Sequence, residues 1–221
     1  MAKKRKKKAT KKVRVMGIVA SIIMLVMCAS IFGVLEAPLY ETTTTILGNT
    51  TTSTKTAYDF LEEKSKKVTT LDENNQKVEV MQIEVDKKLA NDYKETILKN
   101  ASSEATQAGY DAMMHPIKVY DSLISTMAVA AVGALCSLLA LIFGLIKKNK
   151  LAKIFNILGI LSLLAIIATG AIAFVSANAI ATSPLMSFGH TITKTIVPII
   201  IILIGAVGTL AGGITTMLSK K

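Results

Sequence analysis

Four stretches of the chain are uninterrupted runs of mostly apolar residues, and each is long enough to cross a membrane as a helix. They cover residues 15–35, 122–146, 154–175 and 196–218, and none contains a charged residue or a histidine. At about 1.5 Å rise per residue, about 20 residues match the hydrocarbon thickness of a bilayer. The pattern predicts an α-helical polytopic membrane protein with four transmembrane helices in a four-helix bundle.

Residues 36–121, between the first two runs, have a different pattern that predicts a small α+β domain. Threonine-rich residues 40–56 flank a Gly48-Asn49 pair, which favours two short strands and a turn; a threonine-rich stalk is the alternative. Thr56 and Asp59 have the spacing of a capping box, so we expect a short helix to begin there and extend through Lys66.

The second half of this domain is predicted to be a β-hairpin followed by a long helix. The hairpin covers residues 68–85 with its turn at 72–75, and a change of apolar parity in the second strand indicates a bulge or burial on both faces. Asp86 is the expected cap of the helix, and His115-Pro116 is expected to end or kink it. Its apolar stripe comprises Leu89, Tyr93, Ile97, Ala101, Ala105, Ala108 and Ala112.

Charge is segregated along the chain, although its formal sum is +11. All 15 acidic residues lie within 36–121, whereas residues 1–14, 147–153 and 219–221 contain only basic charges. The positive-inside rule therefore predicts that both termini and the 147–153 turn are cytoplasmic, and that 36–121 and 176–195 are extracytoplasmic. We expect the cytoplasmic (plasma) membrane as the location.

The basic tail and first apolar run also resemble a secretory signal peptide. The run is longer than the 7–15 residues typical of a signal's apolar region, so we expect an uncleaved anchor. The tail is an orientation signal and a candidate site for anionic lipid; nucleic acid is not expected as a partner. Its cations are Lys3, Lys4, Arg5, Lys6, Lys7, Lys8, Lys11, Lys12 and Arg14.

Small residues recur at close spacing in all four runs, in the third as Ala165, Thr169 and Ala173, and such residues let transmembrane helices approach closely. Two interpretations stay open: packing inside one chain, or a homo-oligomer interface through the fourth helix. The candidate packing residues are Gly205, Gly208 and Gly212 in the fourth run, Ala130, Gly133, Ala134 and Ser137 in the second, and Ala29 and Gly33 in the first.

No pattern of catalytic, metal-binding or cofactor-binding residues is present. The chain has no phosphate-binding loop, nucleophile elbow or zinc-protease motif, so we expect neither an enzyme nor a bound cofactor. Its two cysteines, Cys28 and Cys136, lie inside apolar runs and are expected to be packing residues. His115 and His190 are expected near the membrane surface, and Asn49 and Asn100 begin glycosylation sequons.

Taken together, these features predict a non-enzymatic multi-pass membrane protein whose extracytoplasmic domain binds a partner or ligand. It would act as a scaffold, an accessory subunit or a sensor, with another envelope or membrane protein as partner. The alternative is an oligomeric pore or small transporter. A charge-coupled transporter is disfavoured because the apolar runs contain no ionisable residue of the kind such proteins use.

Overall fold

The computed structural model describes residues 2–46, 49–71, 75–101, 103–182, 190–193 and 196–218. It forms two compact units: a helical unit (Met1–Val34, Ile124–Ala171, Ile199–Lys221) and a mixed unit (Leu35–Leu123, Ile172–Pro198). In chain order the elements are α1 (Ala2–Val34), β1 (Pro38–Ile46), β2 (Asn49–Thr56), α2 (Ala57–Ser65), β3 (Lys67–Leu71), β4 (Lys77–Met81), α3 (Gln82–Tyr93), a π-helical turn (Lys94–Leu98), α4 (Glu104–Leu145), α5 (Asn149–Thr182), β5 (His190–Thr193) and α6 (Ile196–Leu218).

Four helices are long and apolar enough to cross a membrane, which confirms that part of the sequence prediction. The candidate segments are Val15–Val34 of α1, Glu104–Leu145, Asn149–Ile180 and Ile196–Thr216. Helices α1, α4 and α5 extend beyond the predicted runs because flanking polar residues also have helical backbone, whereas α6 has the predicted bounds. The architecture is compatible with a multi-pass membrane protein.

The helical unit buries one side of each helix and leaves large apolar side chains on its outside. Met24, Leu163 and Ile201 are fully buried. Large apolar residues on the exposed face of α6 recur at spacings of four, three and four residues: Leu203, Val207, Leu210 and Ile214. A helix that is apolar on both its packed and its exposed side is suited to a lipid environment.

In the mixed unit, β1 lies between β2 and β5 in a three-stranded antiparallel sheet. Thr43 pairs with Thr52, and Thr44 pairs with Thr51, so the threonine-rich segment forms the expected hairpin rather than a stalk. On its other side β1 pairs with β5, with Glu41 opposite Thr193. The sequence pattern did not reveal β5, because its four residues carry no periodic signal that identifies a strand.

Helix α2 begins where the sequence predicted. Thr56 has an extended backbone, its hydroxyl accepts a hydrogen bond from Asp59 N–H (3.0 Å), and its own N–H donates to the Asp59 carboxylate (3.2 Å). This reciprocal capping box satisfies two backbone donors of the first turn. Ala57, Phe60 and Leu61 on α2 are buried.

The hairpin β3–β4 is shorter than predicted, because the chain becomes helical at Gln82. The predicted strand through Val85 and the predicted cap at Asp86 are therefore both wrong. Met81 N–H donates to the Glu84 carboxylate (3.2 Å), an N-terminal arrangement that starts α3 five residues early. The parity change interpreted as a bulge marks the change from strand to helix.

The long helix predicted after residue 86 is interrupted. Of the end or kink expected at His115-Pro116, the end does not occur, and a kink stays a prediction. After the π-helical turn, Ser103 and Thr106 exchange hydrogen bonds (2.9 and 3.2 Å) and begin a new helix, α4. Pro116 lies inside α4. It removes one backbone donor, but the neighbouring Ile117 and Val119 are buried and hold this part of the helix in place.

Helices α3 and α4 meet in a small core of the mixed unit formed by Ile83, Ala90 and Ile117. Partly buried Tyr110, Met114 and Tyr120 pack against it. On α3, the buried face begins one residue away from the apolar stripe that the sequence predicted. Leu89, which belongs to that stripe, is 56% exposed, whereas its neighbour Ala90 is 1% exposed. Burial therefore follows the position of α4 rather than the size of the side chain.

Candidate functional site

The described residues contain no group of three or more His, Cys, Asp or Glu side chains able to hold a metal ion. Cys28 is buried and Cys136 is partly buried, and both are free thiols. His115 is partly exposed, and its Nδ1 is buried without a hydrogen-bond partner in the described part of the chain. His190 lies in β5, but its side chain is outside the described part.

The nine tail cations predicted to contact anionic lipid lie along the first half of α1. Their side chains also fall outside the described part of the chain. The backbone therefore places Lys3–Arg14 on a helix that continues into the first candidate span, while their contacts stay a prediction.

Two hydrogen-bonded clusters join helices of the helical unit through buried polar side chains. Ser21 Oγ donates to Asn156 Oδ1 (2.8 Å), and Asn156 Nδ2 donates to the Gly17 carbonyl (3.2 Å), so α1 and α5 are joined. Thr126 Oγ1 donates to Thr169 Oγ1 (2.7 Å) and joins α4 to α5. In an apolar environment such bonds hold helices together at about 1 kcal/mol each.

Several other hydroxyls of the helical unit bond to their own helix. Ser137 Oγ donates to the Gly133 carbonyl (2.8 Å), and Ser162 Oγ donates to the Leu158 carbonyl (3.1 Å). Thr215 Oγ1 donates to the Ala211 carbonyl (2.7 Å). These hydroxyls are satisfied locally, so they are not oriented to line a polar pathway.

Three of the four glycines of α6, Gly205, Gly208 and Gly212, face the chain's own helices. A Cβ on Gly205 would lie 2.7 Å from Ile167 Cγ1 and 3.0 Å from the Leu163 carbonyl oxygen. A Cβ on Gly208 would lie 3.0 Å from the Leu163 side chain, and one on Gly212 would lie 3.0 Å from Met24. The absence of side chains at these positions lets α6 lie against α5 and α1.

The other predicted packing residues divide between the inside and the outside of the helical unit. Gly133 meets Cys28 and Ser162, Ala130 and Ser137 are buried, and Ala134 is partly buried. Ala29 is exposed, and Gly33 has no atom within 4 Å of an added Cβ.

Sequence reasoning missed two close approaches on α5. A Cβ on Gly159 would lie 3.1 Å from Ser137 Oγ, and one on Gly170 would lie 2.9 Å from Ile201 Cγ2. The sequence signal that could have identified both positions is a glycine inside a charge-free run. A glycine has no side chain to pack, so its presence there is favourable where another helix approaches closely.

An apolar groove of about 460 Å³ opens on the outside of the helical unit between α4 and α5. Val132, Cys136, Leu161 and Ser162 are among its lining residues. Ser162 is already bonded to its own helix, so the groove offers almost no polar contact. Its chemistry matches a hydrocarbon chain rather than a polar substrate.

In the mixed unit, Lys55 is held between an acid and two aromatic rings. It forms an ion pair with Glu63, and its ammonium lies 5.8 Å from the Phe60 ring centroid, while Tyr40 packs edge-on against Phe60 at 6.4 Å. Partial burial lowers the pKa of Lys55, but the bonds to Glu63 and Tyr40 outweigh it and the net shift is upward. Burial raises the pKa of Tyr40. These contacts attach β1 and β2 to α2.

Strand β2 is an edge strand of the three-stranded sheet. It is eight residues long, and Thr51, Thr52, Ser53 and Thr54 are exposed. An edge strand of this length presents backbone donors and acceptors to an incoming strand.

No protein-family model matches this sequence, and no curated protein is significantly similar to it.

Proposed function

We propose that this chain is a non-enzymatic multi-pass membrane protein whose mixed unit binds a partner protein outside the cytoplasm, as a scaffold, accessory subunit or sensor. The observation that carries the proposal is the exposed edge of β2 on a folded, acid-rich unit. A partner would add an extended segment to this edge, with backbone hydrogen bonds supplying affinity. The threonine side chains would supply a polar, uncharged surface for recognition.

The helical unit supports an anchoring role rather than a chemical one. Asn156 and the hydroxyls of Ser21, Thr126, Ser137 and Thr215 are engaged in helix–helix or same-helix hydrogen bonds. Its sequence carries no acidic residue. These features suit a stable membrane support for the mixed unit.

Co-purification from the native membrane tests the proposal. We expect the full chain to retain one envelope or membrane protein, and the variant Thr52→Lys/Thr54→Lys to lose it, because charge on an edge strand opposes strand addition. Thr69→Lys, at an exposed position of β3, is the matched control and should retain the partner. Equal recovery of the partner by all three proteins would refute binding at β2.

The proposed topology has both termini and the 147–153 turn in the cytoplasm, and the mixed unit outside, in the cytoplasmic membrane. Its support is the lysine and arginine content of residues 1–14, 147–153 and 219–221, which contain no acidic residue. A membrane-impermeant maleimide should label Thr69→Cys in intact cells, and label Asn149→Cys only after lysis. Labelling of Asn149→Cys in intact cells would contradict this orientation.

The alternative function, an oligomeric pore through α6, has less support. Three α6 glycines pack against the chain's own Leu163, Ile167 and Met24, which leaves large apolar residues on the outer face: Gly205, Gly208 and Gly212. Ion flux in liposomes tests the alternative. Reproducible conductance that Gly208→Leu abolishes would favour a pore, and the absence of flux from correctly reconstituted protein would favour the scaffold.

A further inference from the structure

The connection between α4 and α5 has a lysine where the C-terminus of a helix usually has a glycine. Lys148 N–H donates to the Phe143 carbonyl (2.9 Å), and Lys147 N–H donates to the Gly144 carbonyl (3.3 Å). These two bonds form a Schellman motif, in which the residue in the left-handed conformation is usually glycine. Here that residue is Lys147, with φ of 66°. A lysine in the left-handed conformation has backbone strain that a glycine would avoid.

Lys147 belongs to a cluster of four exposed lysines, which we call the basic turn: Lys147, Lys148, Lys150 and Lys153. The helical unit contains no Asp or Glu with which they could pair, because all acidic residues lie within 36–121. Under the proposed topology those acids are on the other side of the membrane. The negative charge that balances the basic turn must then come from another molecule.

Large apolar side chains are exposed on both sides of the basic turn. Leu145 is 56% exposed and Ile154 is 53% exposed, and Ile146 and Leu151 are exposed as well. The rings of Phe143 and Phe155 stack at 5.5 Å and join the two helix ends. Exposed apolar side chains next to exposed ammonium groups match the boundary between acyl chains and lipid phosphates.

We propose that the basic turn itself, in addition to the N-terminal tail, binds the phosphate groups of anionic phospholipids. The apolar side chains around it lie in the acyl region, while the four ammonium groups contact headgroups. This inference uses the membrane-spanning part of the proposed topology and does not depend on the partner proposed for β2.

A tryptophan reporter measures this binding at the turn itself, since the chain has no native Trp. Leu151→Trp places a reporter beside the turn, and Ile199→Trp places a control near the start of α6. Each full-length protein is reconstituted in vesicles of phosphatidylcholine and phosphatidylglycerol. One of these two lipids is brominated, because bromine quenches the fluorescence of nearby tryptophan. We expect an about fivefold preference for phosphatidylglycerol at Leu151→Trp, the factor that about one lysine–phosphate contact provides, and almost none at Ile199→Trp.

Neutralising the turn isolates its contribution from that of the tail. In Lys147→Asn/Lys148→Gln/Lys150→Gln/Lys153→Gln, where Asn tolerates the left-handed backbone, the preference at the Leu151→Trp reporter should fall to below about twofold. Replacing the same four lysines by arginine should retain the preference. Replacing four exposed lysines of the mixed unit by Gln should leave the preference unchanged: Lys66, Lys67, Lys77 and Lys88.

Three results would overturn the proposal: no preference in the parent protein, an unchanged preference after neutralisation, or loss of the preference in the arginine variant. A competition arm separates lipid from free phosphate. If inorganic phosphate reduces the preference more than chloride at equal ionic strength, the turn takes a free anion instead of a lipid headgroup. Both leaflets contain phosphatidylglycerol, so the result does not depend on protein orientation.

Discussion

Tyr93 on α3 occupies the space that a side chain at Gly109 on α4 would fill. A Cβ on Gly109 would lie 2.6 Å from the Tyr93 hydroxyl oxygen and 3.3 Å from the ring carbon that carries it. In a helix that packs against nothing, glycine costs about 1 kcal/mol relative to Ala. In the folded chain its small size brings two helices together.

Gly109→Ala should therefore destabilise the contact of α3 with α4, although alanine is the better helix former. Overpacking costs about 1–3 kcal/mol, which offsets the gain of about 1 kcal/mol in helix propensity. Hydrogen exchange should report faster opening of Gln82–Tyr93. Tyr93→Phe removes the closest atom, so Gly109→Ala should cost less in that background; an equal cost in both backgrounds would contradict the proposed steric cause.

Asn156→Leu should weaken the helical unit by about 1 kcal/mol, because it removes the hydrogen bonds to Ser21 and to the Gly17 carbonyl. Ser21→Ala should cost less, since Asn156 keeps its bond to Gly17. Unfolding in mixed detergent micelles measures both effects. A cost for Ser21→Ala as large as that for Asn156→Leu would show that Asn156 is not the centre of the cluster.

Gly205→Ala should destabilise the packing of α6 on α5 by about 1–3 kcal/mol. The added methyl would meet the Leu163 carbonyl oxygen, a backbone atom that cannot rotate away. Gly213→Ala is the matched control, because an added Cβ there has no atom within 4 Å. Thermal unfolding in detergent should show a lower midpoint only for Gly205→Ala; equal midpoints would exclude tight packing at Gly205.

Lys147→Gly should stabilise the connection between α4 and α5 by about 1 kcal/mol, because glycine adopts the left-handed conformation without a Cβ penalty. Lys147→Ala removes the same charge but retains the Cβ, so it should give no such gain. The difference between the two midpoints in detergent measures the backbone strain alone. A gain of equal size in both variants would assign the effect to charge.

The start of α2 should become less stable in acid. Hydrogen bonds from Thr56 to the Asp59 carboxylate lower its pKa below the ordinary value of 3.8. This stabilisation is complete above that value and is lost as pH falls through the lower pKa of the folded state. Hydrogen exchange of α2, corrected for intrinsic rates, should show lost protection on acidification in the native chain. Asp59→Asn should remove that pH dependence.

Short-range features were predictable because they depend on residues close in the chain. Thr56 and Asp59 cap α2 through a three-residue spacing, and the threonine-rich segment around Gly48 forms its hairpin from local pairing. The end of β4 was predicted wrongly, because the alternation Val78, Val80 continues into residues whose helical start depends on Glu84 reaching back to Met81. Strand and helix patterns overlap there, and the hydrogen bond decides between them.

The packing residues were only partly predictable. Small residues identify helices able to approach one another, but they do not identify the partner, so Gly205 and Gly33 are equivalent in sequence. In the structure Gly205 meets α5, whereas Gly33 has an open surface. The same limit applies to α3, where Leu89 is exposed and its smaller neighbour Ala90 is buried.

By itself, the sequence determined that four segments are long and apolar enough to cross a membrane, because length and the absence of charge are properties of a continuous stretch. It also determined where the charges lie. Only the tertiary structure decided that β5 joins β1, that Asn156 bonds to Ser21, and that Lys147 takes a left-handed backbone. The first two depend on contacts between residues more than 130 positions apart, as the Ser21–Asn156 separation of 135 shows, and such contacts leave no local periodicity.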